Sequence, residues 1–251
     1  MSSPLLSFVW FTFGGDAACL RWSLCSVRAI APGAARHVFF DPDQPLPPDL
    51  IWELSQEGVH IRPSAGPHGR NLNGQEHLER QLDALAAAAP PDNTGMVVKI
   101  DSDTVVQSLD WLAPALIPEN PFSAIGFSAT HPPQPLCGPC YALRADVPRR
   151  LRHTLAAPPQ PLAFLPGLPE DHCVSTLLDA TLQPLEILRL PTWPKRAFFA
   201  GYQYPDDADA PLQGLYRAIS VVTFGNRSLI PGTEPEKRAA AARAMELLLD
   251  A

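Results

Sequence analysis

The sequence predicts an α/β fold: a Rossmann-type, mixed but mostly parallel sheet flanked by helices, in a single domain. Three observations carry that reading. Short apolar or β-rich runs alternate along the chain with segments of helical spacing. The length of 251 residues, 46% of them hydrophobic and 18% charged, supports one large core without a disulfide or metal staple. A pair of acids stands where an apolar run leaves the core, at the kind of strand end where open α/β sheets bind ligands.

Residues 5–13 read as a buried strand, 17–30 as a helix and 37–40 as a second strand, a β-α-β order that points to parallel pairing. Residues 50–57 form a short helix leading to a third strand at 59–61. Residues 74–89 are rich in helix formers, with Leu78, Leu82 and Leu85 on one face. A Pro-Pro-Asp-Asn turn separates that helix from a β-rich run at 96–100, which enters Asp101. Beyond it, 108–116 is predicted helical, 123–127 and 141–143 are strands, and 147–155 and 170–182 are helices. The remaining strands fall at 185–190, 197–199 and 218–224, before a terminal helix at 234–249. The 30 prolines gather in clusters at 45–48, 132–135 and 158–161 and read as rigid loops. Trp10, Trp22, Trp52 and Trp111 lie in apolar patterns and are expected in the core.

A formal charge of −7 without a basic stripe argues against nucleic acid as the main partner, while leaving a phosphate-bearing ligand open. The apolar run 5–13 has no Lys or Arg before it and ends at Gly14-Gly15-Asp16, so it predicts neither a signal peptide nor a transmembrane segment. Five cysteines without a secretory signal predict reduced thiols and a cytoplasmic location.

Asp101-Ser102-Asp103 places two carboxylates two positions apart just past the strand 96–100. Hard divalent cations take oxygen ligands and commonly keep waters and substrate phosphates in their shell. Asp101 and Asp103 are therefore the candidate metal ligands, for Mn²⁺ or Mg²⁺ held against a diphosphate. A three-residue Asp-Ser-Asp is also a common way to close a turn or cap a helix.

With that motif after two or three β-α units, the chain resembles the GT-A type nucleotide-sugar glycosyltransferases, whose Asp-x-Asp follows a strand at a similar depth. Three further segments agree in order. The stretch from Phe11 to Asp16, with the following helix and residues 37–41, is similar to the β-α-β that holds the nucleotide base in that family, which makes Thr12 and Asp16 nucleotide-binding candidates together with Asp101 and Ser102. Residues 70–73 resemble the basic, polar segment near the phosphates, with Arg70 as the cation. Residues 138–144 look like the Gly-rich segment lining the sugar and acceptor pocket, implying Gly138, Pro139 and Tyr141. Glu170-Asp171 resembles the acidic pair from which inverting members draw a base, implying Asp171, with Glu170 as alternate. The structural reading of that pair is helix capping, since acids are favoured in a first helical turn.

The resemblance implies a metal-dependent transferase moving a sugar from a nucleoside-diphosphate donor, with uridine expected, to an acceptor hydroxyl on a glycan, a lipid-linked sugar or a small molecule, with inversion. It divides the chain into a nucleotide-binding half at 1–103, an acceptor half at 104–233 and a C-terminal helix at 234–251. Many members supply a late histidine to the metal, whereas His172 is the last histidine here and His131 lies in a Pro-rich stretch. Trp193, beside Lys195 and Arg196, is a candidate for stacking on a sugar, and the acidic run 206–209 for a loop over the acceptor.

Three other readings compete. Cys137-Gly138-Pro139-Cys140 matches thioredoxin-type redox sites, where a thiol at a helix start has a lowered pKa. The same thiols with His172 and Cys173 suggest zinc, though a second Cys-x-x-Cys is missing. Asp101-Ser102-Asp103-Thr104-Val105 also resembles the nucleophile motif of haloacid dehalogenase-type phosphatases, in which the first aspartate attacks phosphorus. A non-catalytic binding module on the same fold is the third.

Overall fold

Strand β1 (Leu6–Thr12) is buried on both faces, which is why it reads as an unbroken apolar run. The structure, a computed structural model, describes residues 6–66, 75–91, 95–117, 120–128, 136, 138–157, 170–191, 198–200, 219–224 and 232–250. A 3₁₀ turn (Gly14–Asp16) feeds helix α1 (Ala17–Ile30), and β2 (Ala35–Phe40) returns parallel to β1. Helix α2 (Pro48–Gln56), with proline in its first turn, leads to β3 (His60–Pro63). Helix α3 (Gln75–Ala88) then crosses to β4 (Met96–Asp101), which pairs parallel with β1 on its other side.

A short β5 (Thr104–Val106) and a 3₁₀ turn into α4 (Ala113–Leu116) precede β6 (Ala124–Ser128) and β7 (Cys140–Arg144). Helices α5 (Val147–Ala156) and α6 (Glu170–Thr181) lead through a 3₁₀ turn (Pro184–Glu186) to β8 (Ile187–Pro191). β9 (Phe198–Ala200), β10 (Val221–Thr223) and α7 (Glu234–Asp250) complete the described elements.

The larger sheet has seven strands in the order β3-β2-β1-β4-β7-β6-β8, and β5, β10 and β9 form a second, three-stranded sheet. Among the described residues, only β7 opposes the direction of the others in the larger sheet, pairing antiparallel with both β4 and β6. Strand alternation assigns the two faces. Phe8, Trp10, Val38, Val98 and Ile100 pack under α1, α2 and α4, whereas Val9, Phe39, Val97 and Tyr141 pack under α3, α5 and α6. The buried Trp10 indole keeps its polar end satisfied by donating to Ser23 Oγ at 2.8 Å. Helix α7 joins the smaller sheet through Met245 and Leu248 against Val105 and Val222.

Two expectations change. Trp52 is 68% exposed rather than in the core, because α2 turns Leu50 and Leu54 inward and a residue two positions from Leu50 falls on the opposite face. Strand β5 was not expected from sequence, and it sends the chain from the large sheet into the small one directly after Asp103.

Candidate active site

Thr12, Asp41 and Asp101 come together because β1, β2 and β4 run parallel, so all three strands end at one edge of the large sheet. Their register pairs Phe11 with Asp101 and Thr12 with Phe40, and the Asp41 amide donates to the Thr12 carbonyl at 2.9 Å. The single reversed strand brings a fourth segment to this edge, since β7 begins where β4 ends. The Asp101 amide donates to the Pro139 carbonyl at 2.8 Å. Gly138, Pro139 and Asp101 are thus neighbours although Gly138 lies 37 positions after Asp101.

Asp101-Ser102-Asp103 is the turn between the two sheets. Ser102 is buried and its hydroxyl donates to Thr12 Oγ1 at 2.8 Å, tying the turn to the end of β1. The Asp103 carbonyl accepts the Phe224 amide at 2.8 Å, which anchors the other end to the strip after β10. Asp103 itself is 5% exposed, whereas the Asp101 side chain is 37% exposed.

Lys99 lies two residues before Asp101, on the same face of β4, and is almost fully buried. Its ammonium donates to Asp101 Oδ1 at 2.6 Å and to the Gly138 carbonyl at 2.6 Å. The Tyr141 ring lies beneath it, 5.8 Å from the ammonium. Tyr141 is 1% exposed and its hydroxyl accepts from Gln81 Nε2 of α3 at 3.2 Å, so its ring is held between Lys99 and α3.

Asp16 is buried and faces Arg238 of α7, with 3.1 Å between Oδ1 and Nε. The guanidinium also lies 4.7 Å from the Phe13 ring centroid. A Cβ on Gly14 would meet the Pro45 carbonyl oxygen at 2.4 Å, and one on Gly15 would meet Arg238 Nη1 at 2.6 Å. Gly14 is required by this close approach of backbone to backbone, whereas at Gly15 the neighbours are side chains, the end of Arg238 and the Phe13 ring.

Glu170 and Asp171 form the first turn of α6, and their side chains lie outside the described residues. The topology places that turn towards the same edge. Helix α6 leads through a short 3₁₀ turn into β8, which starts at the opposite edge and runs parallel to β6. The Leu136 amide donates to Ser175 Oγ at 3.2 Å, linking α6 to the strip that leads to Gly138. Arg70, His131, Cys137, Trp193, Lys195, Arg196 and the run 206–209 also lie outside the described residues.

Asp101 and Asp103 offer carboxylate oxygens only, and Asp101 is accessible, so the donor set fits a hard divalent cation. Among the described residues there is no cluster of three or more His, Cys, Asp or Glu. These two acids therefore fit an ion that keeps water and phosphate oxygens in its shell better than one held in an all-protein cage. The redox reading is not favoured: Cys140 opens a central strand, opposite Ile100 and fully buried, rather than a helix. His172 is exposed on α6 while Cys173, next to it, is buried, so the two do not present one zinc-binding face.

Three residues that shape this edge escape motif reading. Lys99 was hidden inside an apolar strand. Asp41 had the same signal as Asp101, an acid directly after a buried strand, without a second acid to mark it. Arg238 is distant in sequence, in a terminal helix that carries no motif.

No protein-family model and no curated protein sequence matches the chain. Among solved structures, the apo bifunctional glycosyltransferase WbbM is similar, with a TM-score of 0.56 and 11% identity over 98% of this chain. Apo glycosyltransferase GlyE of Streptococcus pneumoniae TIGR4 superposes with a TM-score of 0.54 and 8% identity over 99% of this chain. A glycosyltransferase involved in glycosylation of the major capsid of PBCV-1 gives 0.50 and 10% over 97% of this chain and 100% of its own. The chain spans 50% of WbbM and 63% of GlyE. At such identities the likeness is one of architecture, and the chain has the fold of the GT-A type glycosyltransferases.

Proposed function

We propose that this chain is a glycosyltransferase that moves a sugar from a nucleoside-diphosphate donor, with uridine as the nucleotide, to an acceptor hydroxyl, inverting the sugar carbon. The observation that carries the reading is the position of Asp101-Ser102-Asp103: it ends β4 at the ligand-binding edge of a glycosyltransferase-type sheet and is tied to β1 through Thr12. Residues 1–103 supply the nucleotide side and 104–233 the acceptor side, with the helix 234–251 braced against the first through Arg238 and Asp16.

Asp101 and Asp103 would hold Mn²⁺ or Mg²⁺, which when bound offsets the charge that grows on the leaving diphosphate. Thr12 and Ser102 shape the floor beside the nucleotide, Asp16 sets the turn after β1, and Arg70 serves the phosphates. Gly138 and Pro139 border the sugar, with Tyr141 beneath them. Asp171 takes the proton of the attacking acceptor hydroxyl, with Glu170 as the alternate base.

The test is direct. Asp103→Ala is expected to remove metal-dependent donor binding, measured by titration calorimetry with UDP-sugars in Mn²⁺; because Asp103 is 5% exposed, the comparison is made on variant protein whose thermal unfolding confirms a folded state. Unchanged Mn²⁺ and donor affinity in that variant would sink the assignment.

A further inference from the structure

We infer that Lys99 is a positioning residue for the transfer, one that locks the metal-binding turn to the sugar-side turn. The inference rests on the glycosyltransferase reading. A buried ammonium on a sheet face is costly unless its charge and donors are met. Here one donor meets Asp101 Oδ1 and another the Gly138 carbonyl, each at 2.6 Å. The Asp101 amide to Pro139 carbonyl bond, 2.8 Å long, adds a second clasp one residue further on. Polar links thus join residue 101 and its lysine to residues 138 and 139 directly.

The consequence is geometric and electrostatic. Donor diphosphate on one side and sugar on the other must be held to within fractions of an ångström for attack to proceed, and partners behind the ligating groups set that geometry. The ammonium also fixes which Asp101 oxygen faces outward and offsets part of the carboxylate charge. Lys99 therefore aligns Asp101 while weakening its pull on a bare cation, so that ion, diphosphate and sugar bind as one set.

Lys99→Met keeps an unbranched stem as far as Cε and removes both links and the charge. Three results are expected. Turnover falls about 10- to 100-fold with the donor KM changed only a few-fold, as for other partners behind a metal ligand. Affinity for Mn²⁺ alone rises about tenfold, because loss of a nearby positive charge outweighs the looser carboxylate. Hydrogen exchange quickens at the Asp101 amide and in the peptide covering 138–140, with the rest of the sheet unchanged.

A purely structural lysine would lower Mn²⁺ affinity and turnover together, in step with the melting temperature, and that pattern overturns the inference. Unchanged exchange at Asp101 and 138–140 overturns it as well. If Lys99→Met does not fold, Lys99→Gln retains a donor for the Gly138 carbonyl without the charge, and Mn²⁺ affinity should still rise while exchange moves less. Wild-type protein that neither binds Mn²⁺ nor turns over any nucleotide sugar defeats the transferase reading itself. Faster local exchange in the variant of such a protein would reduce Lys99 to a structural tether.

Discussion

Asp171 is where the proposed chemistry can be separated from the fold most simply. A base that removes the acceptor proton acts on the transition state, so Asp171→Asn should lower kcat about 100-fold or more while donor affinity stays near that of the wild type. Initial-rate kinetics with donor and acceptor varied in turn check this, and full activity would move the base to Glu170 or elsewhere. Lys99 acts at the same scale by another route, through Asp101 and the Gly138 carbonyl. The acids of the Asp-x-Asp turn were legible in the sequence because they interrupt an apolar strand at its end. Lys99 was not, since a lysine within Val97-Val98-Lys99-Ile100 looks like an outward-facing residue until both faces of β4 are known to be covered. Tyr141, read from its place in a Gly-x-x-Tyr pattern, is 1% exposed with its ring 5.8 Å from the Lys99 ammonium.

Strands β2 and β3 carry a measurable electrostatic feature away from the site. His37 and His60 are paired in register and their rings stack at 4.8 Å, with Arg62 on the same strand as His60. Burial, then the charges of His60 and Arg62, push the His37 pKa from 6.5 down to about 4. The unfolded chain therefore binds this proton at a higher pH than the folded one. Above about pH 6.5 the difference contributes nothing, and as pH falls towards about 4 it increasingly favours unfolding. Because His37 is only partly buried, the loss should be about 1–2 kcal/mol, below the full value of the shift. His37→Gln should flatten the fall in melting temperature between pH 6.5 and 4, and an unaltered acid limb would show that other groups govern it.

Element by element, the helices were legible from their periodicity and the central parallel strands from their unbroken apolar runs. The predicted 17–30 helix, for example, coincides with α1 (Ala17–Ile30). Strand β5 was not, because three residues are too few for an alternation to register and its pairing partner β10 lies more than a hundred residues away. The reversal of β7 was equally hidden, as direction depends on how the chain returns to the sheet and not on the composition of the strand.

At the scale of the molecule, that reversal shapes the site. A sheet with every strand parallel would send β7 towards the edge where it now begins, and the segment at 138–139 would then lie at the far edge from Asp101. Instead the Asp101 turn and the segment at 138–139 meet across β4 and β7, while α7 closes on the first turn through Arg238 and Asp16. On the proposed function, the acidic balance of the chain, −7, would leave attraction of a diphosphate to the divalent ion and a few local positive groups. None of the described helices is long and apolar enough to cross a membrane.

If this edge binds a nucleoside diphosphate through a divalent ion, the melting temperature of the wild-type chain should report it, since a ligand that binds only the folded state raises that temperature. The ligands to compare are UDP, GDP, ADP and their sugars, each with and without Mn²⁺ or Mg²⁺. A uridine nucleotide should give a rise that appears only when the metal is present. No rise with any nucleotide, or the same rise in excess chelator, would contradict binding through the ion at this edge.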